Sequence, residues 1–119
     1  MQIDVERDGM ATIVRPLADR LDVEVASDFR SMLLSLIEQG NRHLVVDLNG
    51  VSFIDSSGLG ALVSALKTIK RSSGSGDVRL ARVQPPVESL LETIRLNRVF
   101  TTYPEIIDAV DSFGHAVPM

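Results

Sequence analysis

No cysteine occurs in the 119 residues of this chain, which removes disulfides, thiolate metal sites and cysteine nucleophiles together and suits a reducing compartment. Histidine is nearly as scarce. His43 opens an apolar run and His115 lies near the end, and neither has a carboxylate or a cysteine at metal-ligand spacing, so both read as structural or solvated and no metal or cofactor is expected. Positive charge is not concentrated anywhere: the net charge is −4 and the basic residues are scattered, so the electrostatic footprint of a nucleic-acid binder is missing. No apolar run approaches a membrane span, and the opening MQIDVERDG is charged and alternating, unlike a signal peptide. These absences make a cytoplasmic protein without direct membrane insertion the expectation. Internal repeats and low-complexity tracts are absent as well.

What is present is globular. With 45% hydrophobic and 24% charged residues, a chain of this length builds one core. The expectation is a single domain over 1–119, with its core in 1–113 and a fraying tail from Gly114 to Met119. Gln2 to Glu6 alternates, Asp8-Gly9 marks a turn, and Ala11 to Arg15 resumes a β-branched run, which together predict a hairpin. Pro16 cannot donate to a sheet ladder, so that strand ends or bulges there and Leu17 to Val23 reads as a surface loop. Ala26, Phe29, Leu33, Leu36 and Ile37 share a helical face that begins near Val23 behind Asp22, a candidate cap, and stops at Gly40.

His43 to Leu48 is a buried-strand pattern, and after Asn49-Gly50 a second helix follows with Leu59, Leu62, Val63, Leu66 and Ile69 on one face. Lys67, Lys70 and Arg71 lie on its exposed side, the last two suited to the helix dipole. Ser72 to Gly76 is a flexible connector and Asp77 to Val83 a further strand. Pro85-Pro86 starts a third helix with Val87, Leu90, Leu91 and Ile94 as its buried stripe and Asn97 as its end. A short strand at Val99 to Thr102 and a fourth helix through Ile106, Ile107 and Val110 complete the order. Strands alternating with helices imply an α/β fold: a mostly parallel central sheet with an N-terminal antiparallel hairpin and about four helices.

The stretch Val51 to Lys70, VSFIDSSGLGALVSALKTIK, holds the densest set of candidate residues. Asp55-Ser56-Ser57-Gly58 stands where a strand hands over to a helix, at the ends where such sheets place their sites. The first N–H groups of a helix lack internal partners, and Asp or Ser side chains commonly take them. One cap needs one residue, so an aspartate with two serines leaves a surplus hydroxyl at an exposed helix start. Gly58 and Gly60 allow close packing of this helix against the sheet, whereas GLG lacks the third glycine of a dinucleotide fingerprint and the lysine of a Walker loop. A Ser-His-Asp hydrolase would need a histidine beside Ser56, and His43 lies at the far end of the feeding strand. Asp4, Asp8, Asp19, Asp22, Asp28, Asp47 and Asp55 are ordinary surface acids for a protein of this charge. No catalytic residue is assigned, and the chain is not expected to be an enzyme.

This element order together with Phe53-Ile54-Asp55-Ser56-Ser57-Gly58-Leu59-Gly60 resembles the STAS domain, most closely the stand-alone bacterial anti-anti-sigma factors, or anti-sigma factor antagonists. The resemblance spans nearly the whole chain. It implies that Ser56 is the phosphoacceptor and that Asp22, Asp55, Ser56, Ser57, Gly58 and Leu59 form the partner-binding surface. It further implies two partners: a serine-kinase anti-sigma factor with a histidine-kinase-like ATP-binding fold, which phosphorylates the serine, and a metal-dependent phosphatase that reverses this. The unphosphorylated form would bind the kinase. Relatives carry G-x-L-D before the first helix, and here Arg20-Leu21-Asp22 matches its second half while Asp19 stands in the glycine's place. A phosphate on Ser56 would add nearly two negative charges near the free N–H groups of the following helix without refolding the domain. The rival implication is a STAS accessory subunit of a lipid-transport ABC system, or a tail on an anion transporter, neither of which needs Ser56 phosphorylation. A nucleotide-binding sensor would require a ligand pocket.

Overall fold

The computed structural model describes residues 1–72 and 74–114. Ser73, within the expected connector, and the tail from His115 to Met119 lie outside the described residues. Two strands, β1 (Ile3–Asp8) and β2 (Ala11–Pro16), form the expected hairpin, with Ile3 opposite Pro16 and Asp8 opposite Ala11. From β2 the sheet grows by parallel pairing to β4 (His43–Asp47), then β6 (Asp77–Ala81), then β7 (Thr102–Tyr103), in the order β1-β2-β4-β6-β7. The other strands, β3 (Arg20–Leu21) and β5 (Phe53–Ile54), pair in parallel with each other as a separate ribbon. Four α-helices occur among the described residues: α1 (Val23–Glu38), α2 (Ser56–Ser72), α3 (Pro85–Thr93) and α4 (Ile106–Asp111).

Strand alternation decides which helices cover which face. Val14, Leu44, Val46, Val78 and Leu80 point to one side, where Phe29, Leu33 and Ile37 of α1, Leu62, Ala65 and Ile69 of α2, and Val87 and Leu91 of α3 close over them. Ile13, Val45 and Ala81 point to the other side, where the short α4 contributes Ala109 and Val110, with Ile106 partly buried against them. Because both faces of β4 are covered, Leu44 to Asp47 is buried throughout, as an apolar run in a parallel sheet should be. Gly40, at φ +102, ends α1 where expected, its N–H donating to the Ile37 carbonyl.

Four expectations are corrected. The predicted surface loop Leu17 to Val23 contains β3, and Leu21 is fully buried. The stripe of α3 stops short of Ile94, which is exposed because the helix ends at Thr93 and Arg95 turns left-handed at φ 64. A 3-10 turn, Leu96–Arg98, then carries Phe100 into the core, so Val99 to Thr102 is not a strand and β7 begins only at Thr102. The third helix, expected to end at Asn97, ends at Thr93, and Asn97 lies within that 3-10 turn.

At the C-terminal ends of β2, β4 and β6 a buried carboxylate joins three strands. Asp47 Oδ2 accepts from Arg15 Nε at 2.8 Å and from Arg82 Nη2 at 2.6 Å, while Oδ1 accepts from Arg82 Nε and the Asn49 N–H, each at 3.1 Å. Burial by itself pushes the Asp47 carboxyl upward. The hydrogen bonds from Arg82, Arg15 and Asn49 outweigh that penalty, and its pKa lies below the ordinary 3.8. Reading Asp47 as an ordinary surface acid is therefore overturned.

Two outcomes are expected. Phe100→Ala should lower unfolding free energy by about 3–5 kcal/mol in urea titrations, and Ile94→Ala by less than about 1 kcal/mol. The ionised form of Asp47 is the one that folding favours. Its contribution is therefore whole above the unfolded value near 3.8 and is lost as pH falls through the lower folded value. Asp47→Asn should cost about 2 kcal/mol at neutral pH, less than a fully buried pair because both arginines stay partly solvated, and should flatten the acid limb of the stability–pH curve.

Candidate functional site

The β3–β5 ribbon lies beyond the tips of β2 and β4 and delivers the chain to the starts of α1 and α2. Its pairing is stitched by the Asp19 carbonyl, which accepts from Ser52 N at 2.8 Å and Phe53 N at 3.3 Å, and by the Leu21 carbonyl, which accepts from Asp55 N at 3.2 Å. In consequence Asp55 arrives beside the first turns of both helices. Asp55 Oδ1 accepts from Ser57 N at 2.8 Å and Gly58 N at 3.1 Å, capping α2, and Oδ2 accepts from Val23 N at 3.1 Å in the first turn of α1. Asp22 is the cap of α1, accepting from Glu24 N at 3.1 Å, and its second oxygen faces Arg20 Nε at 3.4 Å.

With both caps supplied by aspartates, Ser56 is not needed as one. It is the first residue of α2, exposed, and its hydroxyl has no hydrogen-bond partner among the described residues. The N–H groups of Ser57 and Gly58 are taken by Asp55. These are two of the N–H groups that the sequence alone leaves free for an anion at the helix start. Two large apolar residues of these elements are exposed, Val23 in the first turn of α1 and Phe53 in β5, the latter roofed by the Arg20 guanidinium at 4.0 Å from its ring centroid. Among the described residues no group of three or more His, Asp or Glu side chains could hold a metal ion, and no helix is long and apolar enough to cross a membrane.

The family model for the STAS domain matches residues 2–109. The chain belongs to the STAS domain family. A relative is the anti-sigma F factor antagonist of Paenibacillus polymyxa, 30% identical over 111 residues that make up 92% of each chain. Among solved structures the chain is similar to an anti-sigma-factor antagonist (STAS) domain protein from Planctomyces limnophilus, with a TM-score of 0.83 and 27% identity over 94% of this chain and 97% of that one. The Bacillus anti-sigma factor antagonist SpoIIAA, in its unphosphorylated form, matches with a TM-score of 0.79 and 18% identity over 98% of this chain and 100% of that one, a likeness of fold alone.

Within this STAS domain the six residues expected at the partner surface divide. Asp22, Asp55, Ser56 and Ser57 meet around the two helix starts, with Ser56 exposed and the others partly so. Gly58 and Leu59 are buried and face the fold interior. A Cβ on Gly58 would stand 2.1 Å from the Leu21 carbonyl oxygen and 2.8 Å from Ile54 Cγ1, so only glycine lets α2 approach the ribbon. Gly60, expected to serve the same close packing, has nothing within 4 Å of an added Cβ. Val23, Phe53 and Arg20 were not candidates in the sequence. Phe53 could have been found from strand alternation, since Ile54 points inward; the Arg20–Phe53 stack depends on a register that no local pattern announces.

Gly58→Ala should destabilise the domain by about 1–3 kcal/mol or more in urea titrations, because a backbone carbonyl has to move. Gly60→Ala should stabilise α2 by about 0.5–1 kcal/mol.

Proposed function

We propose that this chain is an anti-sigma factor antagonist whose unphosphorylated form binds a serine-kinase anti-sigma factor, and that phosphorylation of Ser56 ends the binding. The observation that carries this reading is the division of labour at the helix starts. Aspartates do all the capping, and an exposed serine hydroxyl is left without an internal role. A phosphate there would add about 1.5–2 negative charges beside Asp55 and Asp22, and with the nearest α2 N–H groups already committed it would remain at the surface. A partner that packs on Val23, Phe53 and a small hydroxyl then meets bulk and like charge, while the fold beneath is unchanged. The 30% identity to the anti-sigma F factor antagonist of Paenibacillus polymyxa supports the same role. In this reading the kinase carries the histidine-kinase-like ATP-binding fold, a metal-dependent phosphatase restores the hydroxyl, and the chain itself acts by binding and performs no catalysis.

Affinity capture from native extract with wild type, Ser56→Ala and Ser56→Asp tests it. A kinase-fold protein should be held by the first two and released at least about tenfold by the third, a difference of about 1.4 kcal/mol. With ATP, the captured partner should add one phosphate to wild type and none to Ser56→Ala. Equal capture of permease or ATPase subunits by all three would replace this reading with the transport-accessory one.

A further inference from the structure

Beyond the tips of β2, β4 and β6 lies a cavity of about 360 Å³, lined among others by Arg15, Leu17, Asp19, Asp47, Asn49 and Arg82. It stands apart from the serine at the start of α2, and it is the kind of pocket that the sequence does not reveal. In parallel α/β sheets ligands collect beyond the carboxyl ends of the strands, which is where this cavity opens. Its volume is at the small end of ligand pockets and suits a metabolite-sized molecule.

The charged lining is unequally used. Asp47 is buried at 1% exposure, and both of its oxygens are taken. The arginines are not exhausted. Arg15 engages only Nε and Arg82 only Nε and Nη2, so both Nη groups of Arg15 and Nη1 of Arg82 keep donors with no hydrogen-bond acceptor among the described residues, with the Glu105 carboxylate a further negative charge acting on Arg82. The two side chains are 31% and 33% exposed, open to the cavity mouth while their inner edges are pinned. Arg82 also holds a left-handed backbone at φ 53, which is unfavourable for a residue with a Cβ and concentrates at sites where a side chain has to be aimed. An aspartate that fixes two guanidinium forks and leaves their outer N–H groups unspent prepares them for a second oxyanion.

We propose that this pocket binds a small molecule through one oxyanion group, a phosphate or a carboxylate, held by Arg15 and Arg82. Asp19, on the rim and with its carboxylate unpaired among the described residues, opposes a second negative charge, so the anion enters at the arginine end. The site does not depend on how Ser56 is used.

Amide and arginine Nε–Hε spectra of the ¹⁵N-labelled full chain, titrated separately with inorganic phosphate and with succinate at constant ionic strength, test the proposal. Saturable shifts are expected, largest at Ala18, Asp19, Asn49, Gly50 and the two arginine Nε–Hε groups; the probe that saturates names the class. Arg15→Gln should weaken the dissociation constant about tenfold, and the remote Arg30→Gln should leave it unchanged. Shifts that stay linear with both probes, saturate elsewhere on the protein, or survive Arg15→Gln undiminished overturn the site. Should Arg15→Gln fail to fold, the wild-type titration alone still decides, since absence of saturation at these groups is sufficient against it.

Discussion

The Asp55 carboxylate is the constraint on which the rest of this site depends. Three backbone N–H groups from two helices converge on its two oxygens, at 2.8, 3.1 and 3.1 Å. A helix start is short of acceptors, and each α-helix of this domain could have met that need with its own serine or threonine. Instead Asp55 caps α2 and also takes Val23 N beside the Asp22 cap of α1, which fixes the start of α1 against the start of α2 and leaves the Ser56 hydroxyl free. The arrangement works only because β3 and β5 pair, since it is the Leu21 carbonyl that positions Asp55 N, and that pairing in turn works only because Gly58 has no Cβ. Carboxylate, ribbon and glycine are therefore one structural unit. The exposed Ser56, left without a capping role, is its by-product.

A second carboxylate plays a contrasting part. Asp47 gathers mainly side-chain donors, Arg15 from β2 and Arg82 from just beyond β6, with one backbone N–H, and holds the tips of the central sheet. Both acids are surrounded by hydrogen bonds, yet the consequences differ with burial. Around Asp47 the cost of removing a charge from water is met by guanidinium partners, which retain donors for a ligand. Around Asp55 the donors are peptide groups, which are used up. The two sites share the loop between β2 and β3: Asp19 lines the cavity with its side chain and holds Ser52 and Phe53 with its carbonyl.

Much of this was legible in the amino-acid order, for physical reasons that can be named. The helical faces of α1 and α2 repeat at three and four residues over four turns, enough for periodicity to outweigh local preference, and the buried run of β4 is too short for a helix and too apolar for an edge. The hairpin announced itself through Asp8-Gly9 and alternation. What escaped detection lacked a period. Two-residue strands such as β3, β5 and β7 have no alternation to read, and Pro16 before β3 pointed to a loop. Phe100 is buried by a left-handed Arg95 and a 3-10 turn, and Arg82 is aimed by another left-handed residue. Neither backbone state is encoded by residue type, since arginine has no preference for it.

The candidate site shows the same division. Residue chemistry singled out Asp55, Ser56 and Asp22, because carboxylates and hydroxyls at a strand-to-helix junction exceed what one cap requires. It could not assign which of them caps and which remains free, since both are oxygen acceptors of similar reach. The structure settles that, with Asp55 Oδ1 on the Ser57 and Gly58 N–H groups and Oδ2 on Val23 N. The assignment changes the physical meaning of a phosphate on Ser56. Had a serine been the cap, modification would compete for the helix's own N–H groups and strain the fold. With Asp55 holding the Ser57 and Gly58 N–H groups, a charge added at Ser56 would not have to displace a hydroxyl from them.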